Sequence, residues 1–302
     1  MRTTSGHFIL QDVKTMTKEL QCPLTIDQQL ENLKSLNLLI ENEENAKRIL
    51  NDISYFRLIK AFSLGLKPKN GSYNGTVSFD QIVDLYKFNA NVRQLIFILV
   101  ERIEVNLRCR IANYFSIQYG VMGYLNAENF ADAEYHQQFL DDIWQEIDRN
   151  AKSPFVRNFQ EHYNGQIPMY ALVELFSFGT LSKFYKNMKN PDKKAVATLY
   201  GVGYTYLESW IESIAYLRNL CAHYGRIYNA KIPKRPMLYK QDAAIGVDNG
   251  SFFGVLICMA RLVSHDIHWN DLLDQLELLI EKYPVVDIQK IGFPTDWKTV
   301  LQ

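Results

Sequence analysis

The chain has 302 residues, 47% of them hydrophobic and 22% charged, the proportions of a globular protein large enough to bury a core without staples. Its 33 Lys and Arg balance 33 Asp and Glu, which excludes a broadly basic nucleic-acid surface and leaves only a local basic patch open to that role. Four scattered cysteines, Cys22, Cys109, Cys221 and Cys258, fit neither a disulfide framework nor metal-ligand spacing, as expected of a reducing cytosol.

In chain order, the opening MRTTSGHFILQDVKTM lacks the apolar core of a signal peptide. In PLTIDQQLENLKSLNLLI, Thr25 and Gln28 stand at capping-box spacing, and Leu30, Leu33, Leu36 and Leu39 recur every three residues. ENAKRILNDISYFRLIKAFSL is also helix-like, and KPKNGSYNGTVS (67–78) reads as a polar linker or short hairpin. From about Asp80 to Gln118 one apolar stripe begins with Ile82, Leu85 and Tyr86. It continues through Val92, Ile96, Leu99, Ile103, Leu107, Ile111 and Tyr114, and predicts one buried helix or a kinked pair ended by Gly120 and Gly123.

Residues 129–150 form a further predicted helix with Phe139, Ile143, Trp144 and Ile147 on its apolar side. PMYALVELFSFGTLSKFYKNM predicts a helical pair broken around Gly179, and Asn190 and Pro191 interrupt again. The segment from Tyr206 to about His223 is amphipathic, Pro233 and Pro236 follow it, and a last helical pair covers roughly 251–264 and 271–282. LIFILV (95–100) and FFGVLICMA (252–260) are too short to span a bilayer, so a soluble, cytoplasmic protein with no membrane association is expected. These patterns predict an all-α fold without internal repeats, with an N-terminal helical segment over 1–78 packed on a main helical domain over 79–302.

The chemistry concentrates in RNLCAHYGRIYN, residues 218–229. The stripe Leu207, Trp210, Ile211, Ile214, Leu217 and Cys221 directs Arg218 toward neighbouring helices, where an unpaired guanidinium is costly. His223 lies five residues on, about 140° around an ideal helix. The two side chains therefore converge only where the helix stops or bends, between Leu220 and Gly225. Together they form a small kit for RNA cleavage. Histidine moves protons near neutral pH, a nearby arginine keeps it available as a base, and the guanidinium neutralises charge on a phosphoryl group. The 2′-hydroxyl of RNA is a built-in nucleophile, so attack on the adjacent phosphate yields a 2′,3′-cyclic phosphate and a 5′-hydroxyl without any metal or cofactor. On spacing alone, an interior ion pair for Arg218 and a helix-dipole partner for His223 account for the same residues.

Glu104 and Arg108, four apart in VERIEVNLRCR, either line the same cleft or fix helix packing as an ion pair. Asn219 orients the phosphate or the histidine, or caps a neighbouring backbone group. Arg226, Tyr224 and Asn229 extend the motif, with Arg226 suited to a phosphate and Tyr224 to a base, although a solvated turn explains Tyr224 as well. Tyr55 and Arg57 in SYFRL are assigned to packing. His265 and His268 in SHDIHW have no supporting ligand cluster and read as a surface turn, and Lys67, Lys69, Lys193 and Lys194 read as solvated loop charges or as an extension of an RNA path.

The order and spacing of NDISYFRL (51–58), FDQIVDLYKFNANVRQLIFILVERIEVNLR (79–108), YGVMGYLN (119–126), PMYALVELFSFGTLSKFY (168–185), WIESIAYLRNLCAHYGRIYN (210–229) and GFPTDW (292–297) resemble the Abi family of bacterial abortive-infection proteins, the AbiD/AbiF-like group within the HEPN superfamily. The resemblance runs from about Pro23 to the tail. It implies a HEPN-type helical bundle with additional N-terminal and C-terminal helices, commonly a homodimer, and an Arg, polar residue, three residues, His motif that falls here on Arg218, Asn219 and His223. It further implies a metal-independent endoribonuclease, a toxin in anti-phage defence whose motifs face each other across a two-fold axis. Its expected partners are an RNA substrate, a second copy through the face carrying Arg218 and His223, and an antitoxin, either RNA or protein. The alternative within the superfamily is a non-catalytic RNA-binding or regulatory scaffold of the same fold.

Overall fold

A computed structural model describes residues 22–66, 71–263 and 269–301. Lys67, Lys69, His265 and His268 lie outside the described residues. The fold is an all-α helical bundle. Among the described residues there are no strands, only the isolated bridges Leu39 to Ser78 and Phe130 to Met188.

Local chemistry sets the helix boundaries. Helix α1 (Ile26–Ser35) starts on the expected capping box, in which the Gln28 amide donates to Thr25 Oγ1 and the Thr25 amide to Gln28 Oε1. It ends sooner than the leucine spacing implies, because Asn37 turns the chain at φ 60. Leu30 and Leu33 are buried, whereas Leu39 is 45% exposed. Helix α2 (Glu43–Asp52) follows, then a π-helical turn over residues 56–60. Phe62 from this region packs edge-on against Tyr86, with centroids 5.5 Å apart.

Ser78 and Gln81 close a second capping box ahead of α3 (Phe79–Tyr119), a single uninterrupted helix of 41 residues and roughly 60 Å. Of the two readings the periodicity allowed, the unbroken one holds, and Val92, Ile96, Leu99, Ile103, Leu107 and Ile111 are all buried along one stripe. Gly120 at φ 79 stops it.

Helices α4 (Ala133–Arg149), α5 (Pro154–His162), α6 (Met169–Leu172), α7 (Phe178–Asn187) and α8 (Asn190–Thr198) follow; α6, α7 and α8 pack on α3, and α4 packs on α7. On α4, Phe139, Ile143 and Ile147 are buried as predicted, but Trp144 is 44% exposed. The break before α7 falls at Phe176 and Ser177 rather than at Gly179, because the Ser177 hydroxyl caps the Thr180 amide and leaves Gly179 inside the first turn. Helix α9 (Tyr204–Ala222) packs against α3, α7 and α8, and against α11 (Phe252–Ala260). Its Trp210 is fully buried, with Nε1 donating to the Met237 carbonyl at 2.7 Å.

Short α10 (Lys240–Ala244), α12 (Trp269–Lys282) and α13 (Trp297–Leu301) complete the bundle. The GFPTDW tail packs back on α11, where Phe293 lies 4.7 Å from Phe253 and 5.3 Å from Trp297 between ring centroids. Gly292 permits that approach, since a Cβ there would fall 2.2 Å from Ser251 Oγ. One connected set of buried apolar side chains runs from Leu30 to Leu301. No helix of the described residues is long and apolar enough to cross a membrane.

Candidate functional site at the end of helix α9

Helix α9 stops within the window the sequence predicted. His223 is its C-cap at φ −91, the Tyr224 amide donates to the Cys221 carbonyl at 3.1 Å, and the Gly225 amide donates to the Leu220 carbonyl at 2.7 Å. This is a Schellman ending, but the glycine is not where such endings usually place it. Tyr224 takes the left-handed position at φ 57, and Gly225 is needed instead because a Cβ there would meet Leu220 Cδ1 at 2.2 Å and the Leu220 carbonyl at 2.8 Å. His223 is exposed and Tyr224 is 67% exposed, so the imidazole faces open space at the point where the chain leaves the helix.

The loop that follows is tied down from α3. Asn89, wholly buried, accepts from the Ile227 amide at 2.7 Å and the Tyr228 amide at 3.0 Å through Oδ1, and its Nδ2 donates to the Gly225 carbonyl at 3.3 Å. Arg93, one turn further along α3, donates to the same carbonyl at 3.2 Å, and burial lowers its pKa from the ordinary arginine value. Arg57 comes from the π-helical turn. It donates to the Tyr224 carbonyl at 3.4 Å, with its guanidinium 5.5 Å from the centre of the Tyr224 ring. Arg226 is partly buried, donates to the Tyr228 carbonyl at 3.1 Å, and has its pKa lowered by the same desolvation. Asn229, at φ 50, donates to the Leu64 carbonyl at 3.2 Å. Cations gathered at a helix C-terminus also complement its dipole.

Arg218 stands a little over one turn back along α9. Its side chain is 38% exposed, its Nε lies 3.8 Å from Glu104 Oε2, and Nη1 is 3.4 Å from Asn219 Oδ1. Glu104 is only 12% exposed and holds Arg108 through its other oxygen, while Arg108 donates to the carbonyls of Val173 and Phe176. These contacts are those of the packing reading, an ion pair that fixes the helices. Arg108 braces the segment between α6 and α7, and Glu104 joins that brace to Arg218 at the surface.

Since α9 runs antiparallel to α3, the stretch of α3 from Arg93 to Glu104 lies alongside the stretch of α9 from Gly225 back to Arg218. Phe97 and Ile98 fall inside that stretch and Val105 just beyond it, and all three are exposed. Among the described residues, Glu104 is the only carboxylate ion-paired to any of Arg57, Arg93, Arg218 and Arg226. A chain with no net charge therefore concentrates guanidinium groups at one helix end.

Sequence reasoning missed Asn89 and Arg93, although a signal was present. Asn89 interrupts the stripe Ile82, Leu85, Val92, Ile96 at a position that helical spacing makes apolar, and a polar residue buried there needs partners. Arg57, assigned to packing, is placed beside Tyr224 by a fold contact that spacing cannot show. Lys193 is buried rather than a solvated loop charge, and pairs with Glu208 at 2.8 Å. Among the described residues no group of three or more His, Cys, Asp or Glu side chains is arranged to hold a metal ion.

The fold and the site define a helical protein that presents an arginine and a histidine at one open helix end. The family model for Abi-like proteins matches residues 48–229, more than half of the chain and the whole of this site, and the chain belongs to that family. No match is found among curated proteins or among solved structures.

Proposed function

We propose that this Abi-like protein is a metal-independent endoribonuclease of the HEPN type, acting as a toxin in abortive infection. The observation that carries the reading is the exposure of His223 on a helix end fixed by Asn89 and Arg93, with a partly open Arg218 just over one turn away.

His223 removes the proton of a 2′-hydroxyl. The 2′-oxygen forms a bond to the adjacent phosphorus, the bond to the 5′-oxygen breaks, and that oxygen takes up a proton. Arg218 neutralises the charge that builds on the phosphoryl oxygens. Asn219 and Arg226 orient the strand. Tyr224 and Asn229 flank it, while Glu104, itself braced by Arg108, pairs loosely with Arg218. No cofactor is required by this chemistry. Two copies meeting through the α3 stretch with exposed Phe97, Ile98 and Val105 bring two motifs to one groove, so that Arg218 of one copy serves His223 of the other. An open, uninhibited nuclease is harmful to its own cell, which calls for restraint by an antitoxin, RNA or protein.

The test is cleavage of single-stranded RNA by the purified chain in EDTA. Cleavage products with 2′,3′-cyclic phosphate and 5′-hydroxyl ends, lost in both His223→Ala and Arg218→Ala, support the reading. Full cleavage by both folded variants overturns it. RNA binding without cleavage by the wild-type chain would assign it instead to the scaffold class.

A further inference from the structure

We infer that the cleft between α4, α7 and α9 is a pocket for one unpaired base of the RNA strand held at Arg218 and His223. Its choice of ligand rests on the nuclease reading above.

The cleft has a volume of about 580 Å³, large enough for a nucleotide-sized group. Its floor is aromatic. Phe130, Phe139 and Phe184 are buried beneath the cleft with Ala215, in a cluster with centroids 5.2 to 6.3 Å apart, and give it an apolar base. Tyr135, Gln138 and Tyr216 stand among the lining residues. Among the described residues no side-chain hydrogen bond within the protein occupies any of the three. An apolar base walled by the accessible rings of Tyr135 and Tyr216, with free hydroxyl and amide groups, suits a flat heterocycle with donors and acceptors on its edge.

Charge argues for the base and against the phosphate. Glu208 pairs with Lys193 at 2.8 Å, Glu212 with Lys234 at 2.6 Å, and Asp142 with Lys183 at 3.6 Å. Asp132 caps the first turn of α4. The lining carboxylates are thus each occupied, two of the three lining lysines are tied to them, and no guanidinium lines the cleft, so Lys186 alone among the described lining residues is a cation without an ion pair.

Position connects the cleft to the site. Glu208, Glu212, Tyr216 and Asn219 recur at steps of four, four and three, so one face of α9 forms a wall that ends at Asn219. Asn219 is the neighbour of Arg218 and touches it through Oδ1, leaving its amide hydrogens unused within the protein. A strand whose phosphate rests on Arg218 therefore has the mouth of the cleft beside it.

Two variants, one at exposed Gln138 and one at partly buried Tyr216, test this in the full chain. Gln138→Trp plugs the cleft from exposed α4, and Tyr216→Ala strips its α9 wall. Both should raise KM for single-stranded RNA at least 10-fold, leave kcat within about 3-fold, and flatten the base preference of cleavage. An RNA with one abasic position should reduce wild-type cleavage to the level of Gln138→Trp and reduce the variant no further. Independently of cleavage, uridine, cytidine, adenosine and guanosine are titrated into wild-type and Gln138→Trp protein by ligand-observed NMR. Binding of a nucleoside to wild type only supports the pocket, even if His223→Ala retains cleavage and the nuclease reading fails. Unchanged KM and base preference in both variants, with cleavage still lost in His223→Ala, overturns the pocket alone. Loss of self-association or of a bound protein in Gln138→Trp, with nucleosides failing to bind wild type, marks the cleft as a protein contact and also overturns it.

Discussion

The two sides of the candidate site are built in opposite ways. The loop from Tyr224 to Asn229 is held by Asn89, Arg93, Arg57 and Leu64, which engage its backbone carbonyls, amides and side chains. Arg218, by contrast, has one ion pair at 3.8 Å and a contact with its own neighbour. The fixed side sets where the chain turns and hence where His223 points. On the proposed reading, the loosely tied side is a guanidinium that exchanges its carboxylate for a phosphate. Positioning and binding are separated along a dozen residues, and mutations on the two sides should therefore fail in different assays.

The largest expected effect is on the chemistry. His223→Ala should lower RNA cleavage by about 10²- to 10⁴-fold, the usual contribution of a general acid or base. Its unfolding midpoint should stay close to wild type, since the residue is exposed. A large loss of stability alongside the loss of cleavage would erase the contrast between the two sides. Next is Asn89→Ala, which leaves the buried amides of Ile227 and Tyr228 without their acceptor and should cost about 2 to 4 kcal/mol in urea unfolding. Gly225→Ala drives a methyl group into Leu220 and should cost about 1 to 3 kcal/mol by the same measurement. The smallest is Tyr224→Asn, which places a side chain tolerant of the left-handed region at φ 57 and should raise stability by about 0.5 to 1 kcal/mol.

Cys221 offers a probe that sharpens the comparison without altering either side. It lies on the buried face of α9 between Arg218 and the clamped loop, and burial pushes its thiol up to about 12. At pH 8 it should resist alkylation in the native chain while exposed Cys109 reacts, and in Asn89→Ala it should label measurably faster. Equal protection in both proteins would show that the clamp does not control opening of this end.

Much of the fold was legible because helical chemistry is local. The capping box at Thr25, the stripe of α3 and the stop near Gly225 each follow from a few neighbouring side chains, and the box at Ser78, though unread, is of the same local kind. Errors arose where tertiary contact overrode spacing. Ser177 rather than Gly179 set the start of α7, and the burial of Lys193 depends on Glu208, fifteen positions away on another helix. Of the candidate site, the sequence named residues but not the contacts that surround them. Arg218 and His223 advertise themselves, whereas Arg57 reaches Tyr224 across 167 positions, a contact no spacing rule can anticipate.

Helix α3 carries both the anchors of the loop and the carboxylate that meets Arg218, with no break between residues 89 and 104. Adding or deleting one amino acid inside that interval would rotate everything beyond it by about 100°, swinging Glu104 away from its partner while Asn89 stayed in register. The interval therefore acts as a fixed ruler. It can drift in composition over evolutionary time but cannot change in length, and lengthening it should separate the two halves of this site more cleanly than any single side-chain replacement.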